Sequence, residues 1–359
     1  MRAVRIEKTG PPEVLVEREL PVPRPAEGEV SIRVEFSGVN FADLLQRLGL
    51  YGHAPKRPYV PGFEVAGYVE AVGLGVRQIR PGQRVAALTR FGGYAETVVA
   101  PESSVFRLPR HVSLAAAAAL PVNFLTAWFC LYRLANVRRR ESVLITAAGG
   151  GVGTAAVQLA HSTGCNTFAV TGSSHKVMRL KELGADYVID ASREDVAEVV
   201  ARETAPHGLD VLLDSVGGET LRRLIPLVGP LGRVVTYGMS AAAPSAARRW
   251  WAALQSYWKM PRFTPLQLIE RNIGVFGFHL GLLESRKEEV RSAFEQILAL
   301  TAARRVAPAI DRVFPLTAQG AAEAHRYLHE RRNFGKVLLS PRLDRPVSAA
   351  ELRQGHSEP

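Results

Sequence analysis

The sequence predicts an α/β fold in two parts: a β-rich part and a doubly wound parallel sheet. Three observations predict it. The chain has 359 residues, which suits two domains better than one. Residues 142–153, Ser-Val-Leu-Ile-Thr-Ala-Ala-Gly-Gly-Gly-Val-Gly, read as a buried strand and a glycine-rich turn, and Thr154–Ala160 continue as an apolar helix. From Ser142 onward strand and helix patterns alternate, whereas residues 1–120 show short strands punctuated by Pro and Gly.

Taken in order, Met1–Lys8 alternates polar and apolar residues like a strand. Strands are expected at Val30–Ser37, Val65–Val72, Arg84–Ala87 and Tyr94–Ala100, with turns at Pro61-Gly62, Gly73–Gly75 and Pro81-Gly82. Ser113 caps an alanine-rich helix over Leu114–Leu120; Pro121 interrupts it, and an apolar helix follows from Phe124 to Leu134. After the basic loop Arg138–Arg140, strands are expected at Val143–Thr146, Asn166–Thr171, Tyr187–Ile189, Val211–Asp214, Arg233–Tyr237 and Ile273–Phe278. Six strands separated by helices suit a doubly wound parallel sheet. Beyond Leu282 come two amphipathic helices, Lys287–Ala302 and Thr317–Arg331, and two strands, Ala309–Pro315 and Lys336–Ser340, which return to the first part. Residues 341–359 are polar and expected to form a loose tail. The domain division expected is 1–122, 123–281 and 282–345, with 346–359 as the tail.

The glycine-rich turn suits a pyrophosphate. Glycines let the backbone come close to phosphates, and the following helix offers free N–H groups and a partial positive charge. The second strand of the alternating part, Asn166–Thr171, indicates which nucleotide. An NAD site usually carries an acid at the end of this strand for the ribose hydroxyls. Here Gly172, Ser173, Ser174, His175 and Lys176 follow, then Arg179. Two hydroxyls and two cations suit a 2′-phosphate, which favours NADPH over NADH. The plainer alternative is a loop with a helix cap at Ser173 or Ser174. His175 reads as a solvated surface residue.

Composition sets further bounds. Hydrophobic residues make up 47% and charged residues 22%. No apolar run approaches the ~20 residues that span a bilayer, and the N-terminus lacks the apolar core of a signal peptide. Cys130 and Cys165 read as small core hydrophobes, with a reducing cytoplasm as the expected setting. The formal net charge is +11, and only seven of the 45 basic residues are lysines. The arginines are spread along the chain and no nucleic-acid motif is present, so nucleic acid is not an expected partner.

Six stretches taken together bear a specific resemblance: Gly38-Val-Asn-Phe-Ala-Asp43, Pro61-Gly-Phe-Glu-Val-Ala-Gly67, Pro81-Gly-Gln-Arg-Val85, Ala147-Ala-Gly-Gly-Gly-Val-Gly153, Asp214-Ser-Val-Gly217 and Phe334-Gly-Lys-Val-Leu-Leu339. In order and spacing, over residues 1–340, the chain resembles a zinc-independent medium-chain dehydrogenase/reductase of the quinone-oxidoreductase branch. Within that branch Val235-Thr-Tyr-Gly-Met239, the Trp250-Trp251 region and Gly277-Phe-His-Leu-Gly281 are similar to the vesicle amine transport protein homologues. The resemblance implies a GroES-like catalytic domain, an inserted Rossmann domain, a cofactor in the cleft between them, and a homodimer.

Zinc-dependent relatives hold the catalytic metal at positions that here correspond to Asn40, Phe63 and Val122; Phe and Val offer no ligand, and Glu64 alone makes a poor site. Two cysteines exclude a four-cysteine zinc loop. By resemblance, Asn40, Asp43, Tyr51 and Thr126 line the nicotinamide end. Plainer alternatives are a helix start for Asp43, a turn for Asn40 and a backbone-bonded helix residue for Thr126. The pyrophosphate contacts are expected from Gly150, Gly151, Val152 and Gly153. Ser173, Ser174 and Lys176 face the 2′-phosphate, and Ser215, Val216, Gly217, Tyr237, Gly238, Phe276, Gly277, Phe278 and Lys336 complete the cofactor set. One departure is the missing tyrosine after the third strand, where Ala191 follows Asp190; Asp190 itself repels a phosphate.

The activity implied is hydride transfer from NADPH to a quinone or an α,β-unsaturated carbonyl, a small-molecule substrate. Asn40, Tyr51 and the nicotinamide ribose are the candidate donors to the developing oxyanion, and Tyr51 also a candidate proton donor. A competing reading is an NADPH-binding protein with little turnover that meets a membrane or a protein through 248–259. In a helix there, Trp250, Leu254, Tyr257 and Trp258 share one face, flanked by arginines. The alternative for that segment is a buried rim or dimer helix.

Overall fold

The structure, a computed structural model, describes residues 1–243 and 258–355. In chain order its strands are β1 (Arg2–Ile6), β2 (Leu15–Glu19), β3 (Glu29–Val39), β4 (Glu64–Val72), β5 (Arg84–Leu88), β6 (Thr97–Pro101), β7 (Val105–Arg107), β8 (Ser142–Ile145), β9 (Asn166–Thr171), β10 (Tyr187–Asp190), β11 (Leu209–Asp214), β12 (Val228–Thr236), β13 (Gly274–Gly277), β14 (Ile310–Pro315), β15 (Lys336–Ser340) and β16 (Val347–Ser348). Four helices matter for the site: α1 (Phe41–Leu48), α2 (Leu114–Ala118), α3 (Pro121–Trp128) and α4 (Gly151–Thr163). The described residues fall into two units, one of Met1–Asn123 with Gly281 onward, the other of residues 124–280.

The first unit is β-rich, as expected. Val30, Ile32 and Val34 share one face of β3 and bury their side chains with Val65, Val69, Val85, Val98 and Val105. The sheet runs β16-β14-β15-β3-β4-β5-β7. The long β3 accepts β15 at Ser37–Val39 and β6 at Glu29–Arg33, so the C-terminal strands are built into the N-terminal sheet. Here β3 runs beyond the expected Val30–Ser37, because both of its ends find partners.

The second unit is a six-stranded sheet in the order β10-β9-β8-β11-β12-β13, parallel at every pair. Leu144, Phe168, Leu212 and Val234 are nearly free of solvent, as strands covered on both faces require. The doubly wound sheet expected from the sequence is therefore present.

Other elements also differ from expectation, among them β7, which the sequence reading lacked. Pro121 does not merely interrupt; it opens α3, where its missing N–H costs nothing. The helix expected to Leu134 widens to a π-helix over Phe129–Leu134. The β1–β2 hairpin needed a second strand, Leu15–Glu19, that the sequence reading lacked. Residues 346–355 are not a loose tail. Val347–Ser348 pairs with β14, and a helix follows over Ala349–Gly355. The cause is a capping pair: Glu351 Oε2 accepts the Ser348 N–H at 2.8 Å, and Ser348 Oγ accepts the Glu351 N–H at 3.3 Å.

Cys130 and Cys165 are both buried and unbridged, in keeping with core hydrophobes. Among the described residues no helix is long and apolar enough to cross a membrane.

Candidate functional site

In the second unit the glycine-rich turn follows β8. Gly150 is the extended residue before α4, and no side chain caps the helix, so its first-turn N–H groups have no partner from within the helix. The glycines answer to close approach. A Cβ on Gly153 would lie 2.6 Å from the Ala147 and Ala148 carbonyl oxygens, which are backbone and cannot yield. A Cβ on Gly149 would lie 2.7 Å from Lys176 Cδ, so the lysine stem crosses directly over the turn. Lys176 is 5% exposed, while His175 beside it is exposed. The Lys176 stem thus packs on Gly149, next to Gly150, Gly151, Val152 and Gly153, a geometry that fits a phosphate of a dinucleotide.

The two serines of that loop are placed differently from each other. The Ser173 N–H donates to Thr171 Oγ1 at 3.2 Å. Ser174 is exposed and donates to Asp190 Oδ2 at 2.5 Å. Its hydroxyl proton is committed to a carboxylate, which corrects the expectation of Ser174 as a donor to a phosphate.

At the carboxyl ends of the later strands Asp214 organises the next turn. Its Oδ1 accepts from Thr146 Oγ1 at 2.8 Å, and its Oδ2 accepts the Gly217 N–H at 2.8 Å. Burial pushes the Asp214 carboxyl up, against the N–H of Gly217 and the hydroxyl of Thr146. The Ser215 N–H donates to Thr146 Oγ1 at 3.0 Å, so Ser215, Val216 and Gly217 are held in one conformation. A Cβ on Gly238 would lie 2.9 Å from the Ser215 carbonyl oxygen, and Tyr237, its phenol pushed up by burial, hydrogen-bonds Ser215. Phe276 and Gly277 end β13, and Phe278 donates its N–H to Thr236 and stacks on Phe129 at 5.6 Å. Thr126 is buried within α3.

In the first unit, sequence reasoning named Asn40, Asp43 and Lys336; the structure joins them in one buried network. Lys336 Nζ contacts Glu64 Oε1 and donates to Asn40 Oδ1 at 2.6 Å. Asn40 Nδ2 donates to Glu64 Oε1 at 2.9 Å, and the Val122 N–H donates to Glu64 Oε2 at 2.7 Å. Gly38 permits this, because a Cβ there would overlap the Glu64 side chain, with Cγ at 2.6 Å. The Asn40 amide is therefore held at both ends: its oxygen accepts from Lys336, while Nδ2 donates to Glu64 and lies 3.5 Å from the Gly38 carbonyl oxygen. Lys336 belongs to a buried ion pair.

The plainer alternative has Asp43 start a helix over Leu44–Leu48; the helix instead begins at Phe41, and Asp43 sits at its third position, where Oδ2 accepts the Asn40 N–H at 2.8 Å. It also accepts from Gln46 Nε2 at 3.1 Å, the Gly62 N–H at 3.3 Å and Tyr94 Oη at 3.3 Å. Burial raises its carboxyl to about 7, outweighing the Asn40 N–H and the Lys336 charge. Tyr94 and His325 continue the chain: Tyr94 Oη lies 3.2 Å from His325 Nε2, and Arg47 Nε donates to His325 Nδ1 at 3.3 Å. Burial holds His325 well below its ordinary range. A neutral ring that accepts at Nδ1 carries its proton on Nε2 and donates it to Tyr94, which frees the Tyr94 proton for Asp43. Glu64, Tyr94, Arg47 and His325 were not found by sequence reasoning as members of the site; 278 positions separate Arg47 from His325.

Tyr51 is half-buried, 5.6 Å from the Phe63 ring. Burial pushes its phenol up to about 12, which makes it a weaker acid than the expected proton donor requires. Phe63 lies 5.8 Å from Phe91, and Phe91 lies 5.7 Å from Tyr59, so four aromatic rings run in a row. Among the described residues no three His, Cys, Asp or Glu side chains cluster as a metal ion requires. Of the segment 248–259, residues 248–257 lie outside the described residues. Trp258 is 68% exposed, with the Arg262 guanidinium 5.9 Å from its ring.

Comparison with known proteins agrees with this architecture. Residues 26–110 match the family model of the alcohol dehydrogenase GroES-like domain, and residues 183–339 match that of the zinc-binding dehydrogenases. The fold and its sites define an oxidoreductase architecture, and the chain belongs to the medium-chain dehydrogenase/reductase family, in its zinc-independent branch. Within the family it is similar to the rat synaptic vesicle membrane protein VAT-1 homolog, 39% identical over 319 residues, covering 89% of this chain and 78% of that protein. It is also similar to rat quinone oxidoreductase, 30% identical over 342 residues, covering 94% and 97%. Among solved structures, the Escherichia coli quinone oxidoreductase complexed with NADPH superposes with a TM-score of 0.85 at 29% identity, covering 95% of this chain and 100% of that one. The human VAT-1 homolog-like protein superposes with a TM-score of 0.83 at 32% identity, covering 96% and 98%.

Proposed function

We propose that this chain is an NADPH-dependent oxidoreductase that reduces quinones or α,β-unsaturated carbonyl compounds without zinc. The observation that carries the reading is Lys176 laid across the glycine turn, at the end of a second strand that carries no acid. A cation fixed there suits an anionic group on the adenosine ribose. When bound, the coenzyme supplies the hydride. The chain's own residues orient and exclude water: the Asp214 turn fixes Ser215–Gly217, and the Glu64–Lys336–Asn40 triangle keeps the end of β3 rigid. The Tyr51, Phe63, Phe91 and Tyr59 row supports a planar, electron-poor acceptor, which stacks on aromatic faces.

The test is coenzyme consumption over a panel of quinones and enones with NADPH and NADH side by side. Lys176→Ala is expected to raise KM for NADPH about tenfold with kcat little changed. No consumption above background across the panel overturns the reading. A homodimer built by pairing the second unit's sheets, and a cytoplasmic setting, go with this proposal. A second reading draws on the vesicle-membrane names of the relatives and on exposed Trp258: peripheral association with anionic lipid. Pelleting with anionic liposomes at low salt tests it, and protein left wholly in the supernatant rejects it.

A further inference from the structure

We infer that Asp190, acting through Ser174, sets the choice between NADPH and NADH and holds the natural chain short of strict NADPH preference. The inference rests on the dinucleotide reading of the glycine turn and deepens it.

The second strand lacks the acid of an NAD site, but the neighbouring strand supplies one. In the parallel register of β9 and β10, Asp190 stands opposite Thr171, the last residue of β9. A carboxylate therefore lies one strand away from the position where ribose hydroxyls are usually bound. It is 5% exposed and reaches back to the loop after β9 through Ser174 Oγ, 2.5 Å from Oδ2. Its Oδ1 accepts from Ser192 Oγ at 2.6 Å and from the Ser192 N–H at 3.0 Å. Arg193 Nε lies 3.9 Å from Oδ2. The Ser174 hydroxyl, followed by the Ser192 hydroxyl and N–H, holds this carboxyl below the usual carboxylate range.

An ionised carboxylate only accepts, so Ser174 is the donor of the shared proton. What the exposed serine offers a ligand is its lone pairs, with a negative charge behind them. A ribose 2′-hydroxyl can donate to those lone pairs. A 2′-phosphate presents acceptors and negative charge to the same atoms and is disfavoured. Lys176 pulls the other way from its place over Gly149. The coenzyme ratio is then a contest between one fixed cation and one fixed anion.

The test is fluorescence titration of the full chain with NADPH and with NADH, for the natural protein, Asp190→Asn and Ser174→Ala. The amide introduced by Asp190→Asn keeps an acceptor for the Ser192 N–H while removing the charge. This variant is expected to tighten NADPH on the order of tenfold with NADH little changed, and the gain shrinks at high salt as screening requires. Ser174→Ala changes an exposed side chain and is expected to weaken NADH alone. An unchanged NADPH-to-NADH ratio in both variants, with binding intact, overturns this inference and leaves the dinucleotide reading standing. A natural chain that binds neither coenzyme overturns both.

Discussion

At Glu64 three donors meet one carboxylate, from Asn40, Lys336 and the Val122 backbone, and the ion pair with Lys336 has side-chain exposures of 2% and 0%. Removing one member of such a pair leaves a charge stranded in a low dielectric. Lys336→Met is therefore expected to cost about 3–5 kcal/mol, whereas Glu64→Gln combined with Lys336→Met recovers much of that loss; urea unfolding of the three chains checks it. Asp43 gives a pH signature. Its carboxyl titrates at about 7 folded against an ordinary 3.8, so between these values the folded chain holds the proton that the unfolded chain has lost. Stability from Asp43 is then present at low pH and falls as pH rises through this window. Asp43→Asn is expected to remove that falling slope in unfolding free energies measured from pH 4 to 8. Sequence reasoning reached Asn40, Asp43 and Lys336 because their motifs carry them. It could not reach Tyr94 and His325, since no local pattern marks a contact between residues 231 positions apart.

Among the elements, α4 and its turn are the most constrained. Gly153→Ala puts a Cβ against two backbone carbonyls, and its relief requires α4 to move away from β8. Coenzyme affinity is expected to fall at least about tenfold, with a lower Tm, and titration with thermal melting checks both. The same turn was legible in the sequence because strand, glycines and helix adjoin without interruption. The strands of the second sheet were legible for a related reason: buried on both faces, they read as short apolar runs. The edge elements were not. β2 has only Leu15 fully buried, and β16 is two residues long, so neither shows a long period-two pattern. The signal for the C-terminal helix was present as Ser348-x-x-Glu351. Ser348→Ala is expected to cost about 1 kcal/mol of that cap, read as earlier unfolding in hydrogen exchange of residues 349–352.

Over the whole molecule the +11 charge is a less specific feature than it looks. Many arginines are paired with acids, as in Arg2–Glu96, Arg18–Glu7, Arg223–Asp195 and Arg342–Glu35, and exposed pairs of this kind contribute little to stability. The chemistry proposed needs no metal, so dialysis against a chelator is expected to leave NADPH consumption unchanged; a loss restored by zinc would refute that expectation. The alternation of strand and helix and the glycine turn determined by themselves the two-part α/β fold, and the six motif stretches carried the resemblance to the family. These are local patterns, fixed by periodicity and by backbone conformations that few residues can adopt. Only the tertiary structure decided that Asn40 is a braced amide, that Lys336 pairs with Glu64 and that the Ser174 hydroxyl donates to Asp190. Each depends on which buried polar group finds which partner, and burial is a property of the folded chain.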